Sequence, residues 1–196
     1  MIETEIIIPV YSPRVPDSLA VCIDSVVKHT DNYNLLLCAS DQPQPININR
    51  GIERSKSKYI AILDWDTIVP ARWLHILTKN LENDPTIGII GAKMIGGYVG
   101  TNRDASPGVQ DWPTLAGGCV VFRNMGIRWD ESFPSGYWAD TDFCRQFKAA
   151  GLRCCINGDV EVEHFPNTFG TQSDQVEIWS EQGAEIYRNK WGNNAF

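Results

Sequence analysis

Two aspartates, Asp64 and Asp66, stand on either side of Trp65 directly after the run Tyr59–Leu63. This run is apolar and rich in β-favouring residues, which predicts a buried strand. Ionised carboxylates are costly near a core unless a cation pairs with them. Because carboxylate oxygens suit Mg²⁺ or Mn²⁺, the pair predicts a divalent-metal site that would also take a substrate phosphate. The simpler alternative is that Asp66 caps a helix and Asp64 lies in a polar turn.

A second group of ionisable residues lies downstream. Asp140 and Asp142 stand at the start of a predicted helix, where an acidic side chain can simply balance the helix dipole. Tyr137 and Trp138 precede Asp140 and could form an apolar wall, beside which a carboxylate can act as a general base. His164 follows a short predicted strand and could be a metal ligand through a neutral imidazole, although a lone histidine is more often structural.

Composition narrows the class of protein. The chain has 196 residues and a formal net charge of -7, which argues against a general nucleic-acid-binding surface. Its 6 cysteines are scattered without a Cys-x-x-Cys pair, so we expect no zinc cluster, no disulfide and a reducing, cytoplasmic setting. We also expect no signal peptide and no transmembrane segment, because no apolar run approaches the roughly 20 residues that span a bilayer.

The N-terminal half alternates predicted strands and helices. The predicted strands span 5–10, 35–39, 59–63 and 87–90. One predicted helix begins at Asp17 or Ser18, and two others span 49–57 and 73–81. Such alternation predicts parallel strands with right-handed crossovers, and ligands then bind beyond the carboxyl ends of the strands. Tyr11, Asp41 and Asp64 all follow predicted strands and are expected at that edge.

The C-terminal half is less regular. We expect a long loop over 91–118, a strand over 119–122, a helix over 140–150 ended by Gly151, and short strands over 153–156 and 160–162. A final helix should begin at Ser173 or Asp174. Its apolar face is expected to dock on the sheet, with a second subunit or a membrane surface as the alternatives. One domain is predicted for 1–196.

Four stretches together resemble family 2 glycosyltransferases. Ile8–Tyr11 resembles the family's opening strand. Asn49–Ile52, followed by 59–66, resembles its Asn-x-Gly helix and metal-binding Asp-x-Asp. Gly117–Arg123 is similar to the glycine-led strand that lines the donor sugar, and 129–145 to the segment with the catalytic base.

The resemblance implies an α/β fold of the GT-A (Rossmann-like) type, with a mixed, mostly parallel sheet flanked by helices. A nucleotide and metal half would span about 1–95, an acceptor and catalytic half about 96–170, and a C-terminal helix about 173–191. The implied activity is metal-dependent transfer of a sugar, with inversion, from a UDP- or GDP-type sugar to a hydroxyl of a glycan or other acceptor. The cofactor would be Mn²⁺ or Mg²⁺. A homodimer and peripheral attachment to a membrane stay open.

The resemblance also assigns residues. Asp66 would be the principal metal ligand, Asp64 would contact the metal or the ribose, and His164 would complete the site. Asp140 would be the base, with Asp142 as the alternative. The donor contacts would be Pro9, Tyr11, Asp41, Asn49, Asp64, Trp65, Gly118 and Arg145.

Three departures from the family pattern bear on these assignments. Trp65 fills the middle of the Asp-x-Asp, Ala139 replaces the acid that often precedes the base, and Ser40–Pro43 differs from the usual Asp-rich turn. A nucleotide-sugar binding domain without turnover is therefore one alternative. A sugar nucleotidyltransferase is another, although the proline-rich segment after the first strand lacks the glycines that such enzymes normally carry there.

Overall fold

The computed structural model describes residues 4–11, 17–96, 100–165 and 173–192, and within these ranges a single mixed sheet organises the chain. The strands are β1 (Thr4–Tyr11), β2 (Tyr33–Ser40), β3 (Tyr59–Leu63), β4 (Thr67–Ile68), β5 (Ile87–Gly96), β6 (Val109–Asp111), β7 (Cys119–Arg123) and β8 (Arg153–His164). The helices are α1 (Asp17–His29), α2 (Gln44–Arg54), α3 (Trp73–Asn83), α4 (Ala139–Ala149) and α5 (Ser173–Trp191), with a short 3-10 helix at Gly100–Asp104.

The strand order is β2-β1-β3-β7-β5-β8-β4, and β6 pairs with β8 off this path. The longest ladders, β1 with β2 and β5 with β8, are parallel. By contrast, β7 is antiparallel to both of its neighbours, β3 and β5. The predicted mixed, mostly parallel α/β sheet is thus confirmed, and β1 and β3 both end on the edge that holds Asp64.

Helices cover both faces of the sheet. On one face α1 and α3 bury Cys22 and Trp73, and on the other α2 and α4 bury Ile48 and Phe143. The side chains of β3 alternate between these two apolar clusters, as the two-residue period of a strand requires. Burial on both faces explains why β3 is continuously apolar.

Several predicted elements are confirmed, and others change. The bounds of β3 are as predicted, and Gly151 follows α4 with φ +78, as expected of a residue that ends a helix. The helix predicted over 49–57 instead begins at Gln44 and ends at Arg54. Pro45 does not prevent this early start, since the first turn of a helix needs no partner for its N–H groups.

The loop predicted over 91–118 is wrong. β5 continues to Gly96, and the 3-10 helix and β6 lie within the remainder. Ala92 and Met94 are buried while the chain pairs with β8, so cross-strand pairing outweighs the local glycine signals.

The two short strands predicted over 153–162 are one strand, β8. The pairing of β5 passes from Asn157 to Glu161 across a bulge that absorbs residues 158–160. The strand therefore does not break, because the extra residues leave the ladder while their neighbours stay paired.

The final helix, which was predicted to dock on the sheet, packs instead against α4. Tyr187 is buried there and lies against Trp138 with ring centroids 5.4 Å apart. All 6 cysteines are buried free thiols. In the described part of the chain, no helix combines the length and the apolar character needed to cross a membrane.

Candidate metal and catalytic site

The three predicted metal ligands meet at one edge of the sheet. Asp64 and Asp66 leave the end of β3, and His164 ends β8. The two-residue strand β4 joins them, because Thr67 pairs with His164 and the Phe165 N–H donates to the Asp66 carbonyl at 2.9 Å. As a result, one ligand atom from each of Asp64, Asp66 and His164 lies within 4.8 Å of the others.

Asp66 and His164 face each other directly. Nε2 of His164 is 3.4 Å from Oδ1 of Asp66, which is itself buried. Burial opposes protonation of the ring, but the bond to Asp66 and the charges of both aspartates raise the pKa of His164 overall. Nδ1 of His164 is buried and has no hydrogen-bond partner within the described ranges.

Asp64 is held from two sides. Its side chain accepts a bond from Gln44 Nε2 at 2.9 Å, and its backbone N–H donates to the Gly118 carbonyl at 3.0 Å. Burial, followed by the charge of Asp66, raises the pKa of Asp64 to about 7. Two carboxylates are thus crowded together without enough local positive charge.

These residues fit a divalent cation. Two carboxylates and an imidazole form a mixed oxygen and nitrogen donor set, and a cation would remove the repulsion that raises the pKa of Asp64. Asp64, Asp66 and His164 are therefore the residues that would hold it.

Asp140 lies in the first turn of α4, beside the same edge. Its carboxylate accepts two bonds, from the Gly117 N–H at 2.9 Å and from the Trp129 indole N–H at 3.3 Å. Burial raises the pKa of Asp140 to about 6 in spite of these bonds. The charge of Asp140 also contributes to the raised pKa of Asp64.

The dipeptide Gly117–Gly118 connects the two acids. Gly117 binds Asp140 through its N–H, and Gly118 binds the Asp64 backbone through its carbonyl. A Cβ at Gly117 would lie 2.5 Å from Asp140 Oδ1, and one at Gly118 would overlap Met94. At Gly117 the missing side chain lets the backbone approach the Asp140 carboxylate this closely, whereas at Gly118 the overlap is with the flexible end of Met94.

Asp142, the alternative base, faces away from this edge and toward α5. Its side chain is fully buried, and it accepts bonds from Trp191 Nε1 at 2.7 Å and Gln146 Nε2 at 2.8 Å. Lys190 completes an ion pair at 2.9 Å. These partners occupy the carboxylate, so the geometry favours Asp140 as the base.

The residues predicted to contact the donor differ in burial and in position. Pro9 is buried on β1, and Tyr11 ends that strand beside Ser40, although its side chain lies outside the described residues. Asp41 is exposed just after β2. Trp65 is buried in the core beneath the two aspartates.

Two further predicted contacts point elsewhere. Arg145 places its guanidinium over the Trp191 ring, 5.7 Å from the centroid, on the side of α4 that meets α5. The side chain of Asn49 is buried and bonded to the backbone of Trp129. The sequence suggested neither placement.

Sequence reasoning missed Gln44 and Trp129, which bind the side chains of Asp64 and Asp140. Gln44 precedes the helix predicted over 49–57, although the Pro45 that follows it is itself a signal for the start of a helix. For Trp129 no local signal exists, because its bond to Asp140 depends on how α4 packs.

Comparison with known proteins gives three findings. Residues 42–133 match the family model described as Glycosyl transferase family 2, a region that contains Asp64, Asp66 and Gly118. A search of curated proteins found no match.

The third finding concerns the fold. The structure is similar to a solved structure titled "Crystal structure of GalNAc-T7 with UDP, GalNAc and Mn2+", at 10% identity and a TM-score of 0.72. The similarity covers 100% of this chain but 49% of that one, so the chain spans about half the length of its structural relative. The family match over 42–133 and the similarity of fold agree with each other: this region resembles glycosyltransferase family 2, and the chain has the GT-A fold.

Proposed function

We propose that this protein transfers a sugar, of the hexosyl type, from a nucleotide-diphosphate sugar to an acceptor hydroxyl, with inversion at the anomeric carbon and with a divalent metal as cofactor. The observation that carries the proposal is the meeting of Asp64, Asp66 and His164 within 4.8 Å, with Asp140 beside them. The acceptor would be a hydroxyl of a glycan or of another molecule.

The ligand set supports the choice of metal. A cation bound there would supply charge stabilisation for the diphosphate leaving group. Because Mg²⁺ prefers oxygen ligands alone, the imidazole of His164 favours Mn²⁺ over Mg²⁺. The structural relative's title names UDP and Mn²⁺, which supports a UDP-type donor here, with a GDP-type donor as the alternative to test.

Asp140 is suited to the remaining chemistry. An alcohol is a weak nucleophile and needs a base, and a carboxylate with a pKa of about 6 is ionised near neutral pH. The acceptor proton would pass to Asp140 as the acceptor oxygen bonds to the anomeric carbon, and the bond from that carbon to the diphosphate oxygen would break. Attack from the face opposite the diphosphate accounts for inversion.

The test is release of nucleoside diphosphate from a panel of UDP- and GDP-sugars with and without Mn²⁺, followed by NMR assignment of the product's anomeric configuration. We expect Mn²⁺-dependent release by the wild type, and its loss in Asp140→Asn with donor binding retained. Equal donor binding by both proteins, with turnover by neither on any acceptor, would favour the binding domain without turnover. Formation of a sugar nucleotide from a nucleoside triphosphate and a sugar phosphate would favour the nucleotidyltransferase.

A cytoplasmic location and a homodimer stay predictions. Six buried free thiols support a reducing compartment. Fractionation of the native protein and its sedimentation in solution would test each of these.

A further inference from the structure

The side-chain amide of Asn49 forms three hydrogen bonds within the protein. Its side chain, 4% exposed, holds the backbone of Trp129 by two bonds. Nδ2 donates to the Trp129 carbonyl at 2.8 Å, and Oδ1 accepts from the Trp129 N–H at 3.0 Å. Nδ2 also donates to Glu131 Oε1 at 2.9 Å. With both amide hydrogens used, Asn49 has little capacity left for a ligand.

Trp129 in turn contacts α4 at two points. Its indole N–H donates to Asp140 Oδ1 at 3.3 Å, and its ring stacks on Phe143 with centroids 3.4 Å apart and planes 18° apart. Asp140 and Phe143 are three positions apart, so they lie on one side of the helix. The placement of Trp129 thus determines where the first turn of α4, and the carboxylate on it, can lie.

We propose that Asn49 is a positioning residue for the Asp140 carboxylate, acting through Trp129, and is not a contact of the nucleotide-sugar donor. The inference rests on the proposed function, in which Asp140 is the base. It replaces the donor role that resemblance assigned to Asn49 with one that the hydrogen bonds support. It also gives a reason for an asparagine at this point, since its amide carries the donor and the acceptor on separate atoms and can bond both backbone groups of Trp129 at once.

The two roles predict different kinetics. Loss of a donor contact weakens donor binding, whereas a displaced base slows the chemical step. Displacement of a catalytic group by about 1 Å can cost roughly 100-fold in rate. For Asn49→Ala we therefore expect kcat to fall about 10- to 100-fold, with the KM for the donor within about 2-fold of the wild type.

The experiment combines steady-state kinetics with NMR of the tryptophan indole N–H groups in the full chain. Trp129→Phe identifies the Trp129 resonance by its disappearance, and it removes the bond to Asp140 while an aromatic ring still stacks on Phe143. We expect the Trp129 resonance in Asn49→Ala to shift toward its position in Asp140→Ala, which has no side-chain oxygen to accept the indole bond. If Asn49→Ala does not fold, Asn49→Asp carries the test, because it keeps the volume and the acceptor but loses both donated bonds.

Asn47→Ala is the matched control. Asn47 lies on the same helix and is 2% exposed, but it bonds to Ser40 and the Gln42 carbonyl and not to Trp129. We expect it to lower stability while leaving the indole resonance and kcat unchanged.

Either of two results would overturn the proposal. One is an unmoved Trp129 resonance in Asn49→Ala, and the other is a raised donor KM with an unchanged kcat. Absence of turnover in the wild type would refute the proposed function instead, while the resonance shift would still test the contact from Asn49 through Trp129 to Asp140.

Discussion

Replacing Asp64 with asparagine should make the metal-free protein more stable and at the same time weaken its response to metal. Asp64 has its pKa raised to about 7 from an ordinary value of 3.8, because it is buried beside Asp66. A carboxyl group whose pKa is raised by folding costs stability as the pH rises through that interval. Asparagine carries no charge and can still accept the bond from Gln44.

The size of the stability change in Asp64→Asn follows from the raised pKa of Asp64. A rise from 3.8 to about 7 corresponds to at most about 4 kcal/mol of unfolding free energy at about pH 8, and to under about 1 kcal/mol near pH 4. Relaxation of the site will reduce the cost in unfolding free energy at about pH 8. We therefore expect Asp64→Asn to raise the free energy of unfolding by roughly 2 to 4 kcal/mol near pH 8 and by little near pH 4.

The stabilisation by bound Mn²⁺ should decrease in Asp64→Asn. Bound at about 100 times its dissociation constant, Mn²⁺ would stabilise the wild type by about 2.7 kcal/mol. Asp64→Asn removes one ligand and should lose most of this increment. Urea unfolding near pH 4 and pH 8, with either EDTA or MnCl₂, measures both effects in one series.

Asp142→Asn is the control, because that carboxylate is more deeply buried than Asp64 but pairs with Lys190 and Trp191. We expect it to lower stability without metal by about 1 to 3 kcal/mol and to keep the full Mn²⁺ increment. The reasoning is refuted if Asp64→Asn is no more stable than the wild type near pH 8 without metal, or if it keeps the whole increment.

Four further outcomes are expected. Asp66→Ala should abolish Mn²⁺-dependent binding of UDP or GDP, as measured by calorimetry, because the principal ligand is gone; unchanged affinity would sink that assignment. His164→Ala should weaken Mn²⁺ affinity roughly 10-fold or more, and an unchanged metal titration would return His164 to a structural role. At saturating Mn²⁺, kcat/KM should fall as the pH drops through about 6, because Asp140 must be ionised to accept a proton; a flat profile from about pH 5 to 8 would contradict this. Gly117→Ala should displace the Asp140 carboxylate and lower kcat about 100-fold while leaving Mn²⁺-induced stabilisation intact, and near-normal kcat would show that the site can give way.

The place where Asp64 and Asp66 lie could be predicted from sequence because local pattern and position agree there. The apolar run of β3 predicts a buried strand, and a strand end in an α/β sheet is where ligands bind. His164 was harder, since only the antiparallel pairing of β4 with β8 brings it to Asp66. Resemblance supplied that ligand, and residue pattern alone did not.

The wrong loop prediction and the donor role predicted for Asn49 both leave out contacts between residues that are far apart in sequence. The glycines after Ile90 were interpreted as loop signals, yet Gly91 lies inside β5, where a Cβ would lie 2.6 Å from the Leu115 side chain. Asn49 was assigned to the donor, yet its partners are Trp129 and Glu131, 80 and 82 residues away. In both cases a contact distant in sequence decides the role, and single-sequence patterns carry no information about such contacts.

The bulge in β8 has a consequence for how the site tolerates changes in chain length. Upstream of residues 158–160 the strand is paired to β5 and β6, and downstream it carries His164. Successive side chains of a strand point to opposite faces. An uncompensated slip by one residue would therefore turn the His164 side chain to the other face and remove its imidazole from Asp66. The bulge already holds residues outside the ladder with β5, so a change of length there need not shift the pairing on either side. Insertions and deletions among relatives of this chain should therefore collect at 158–160 and be excluded from 161–164.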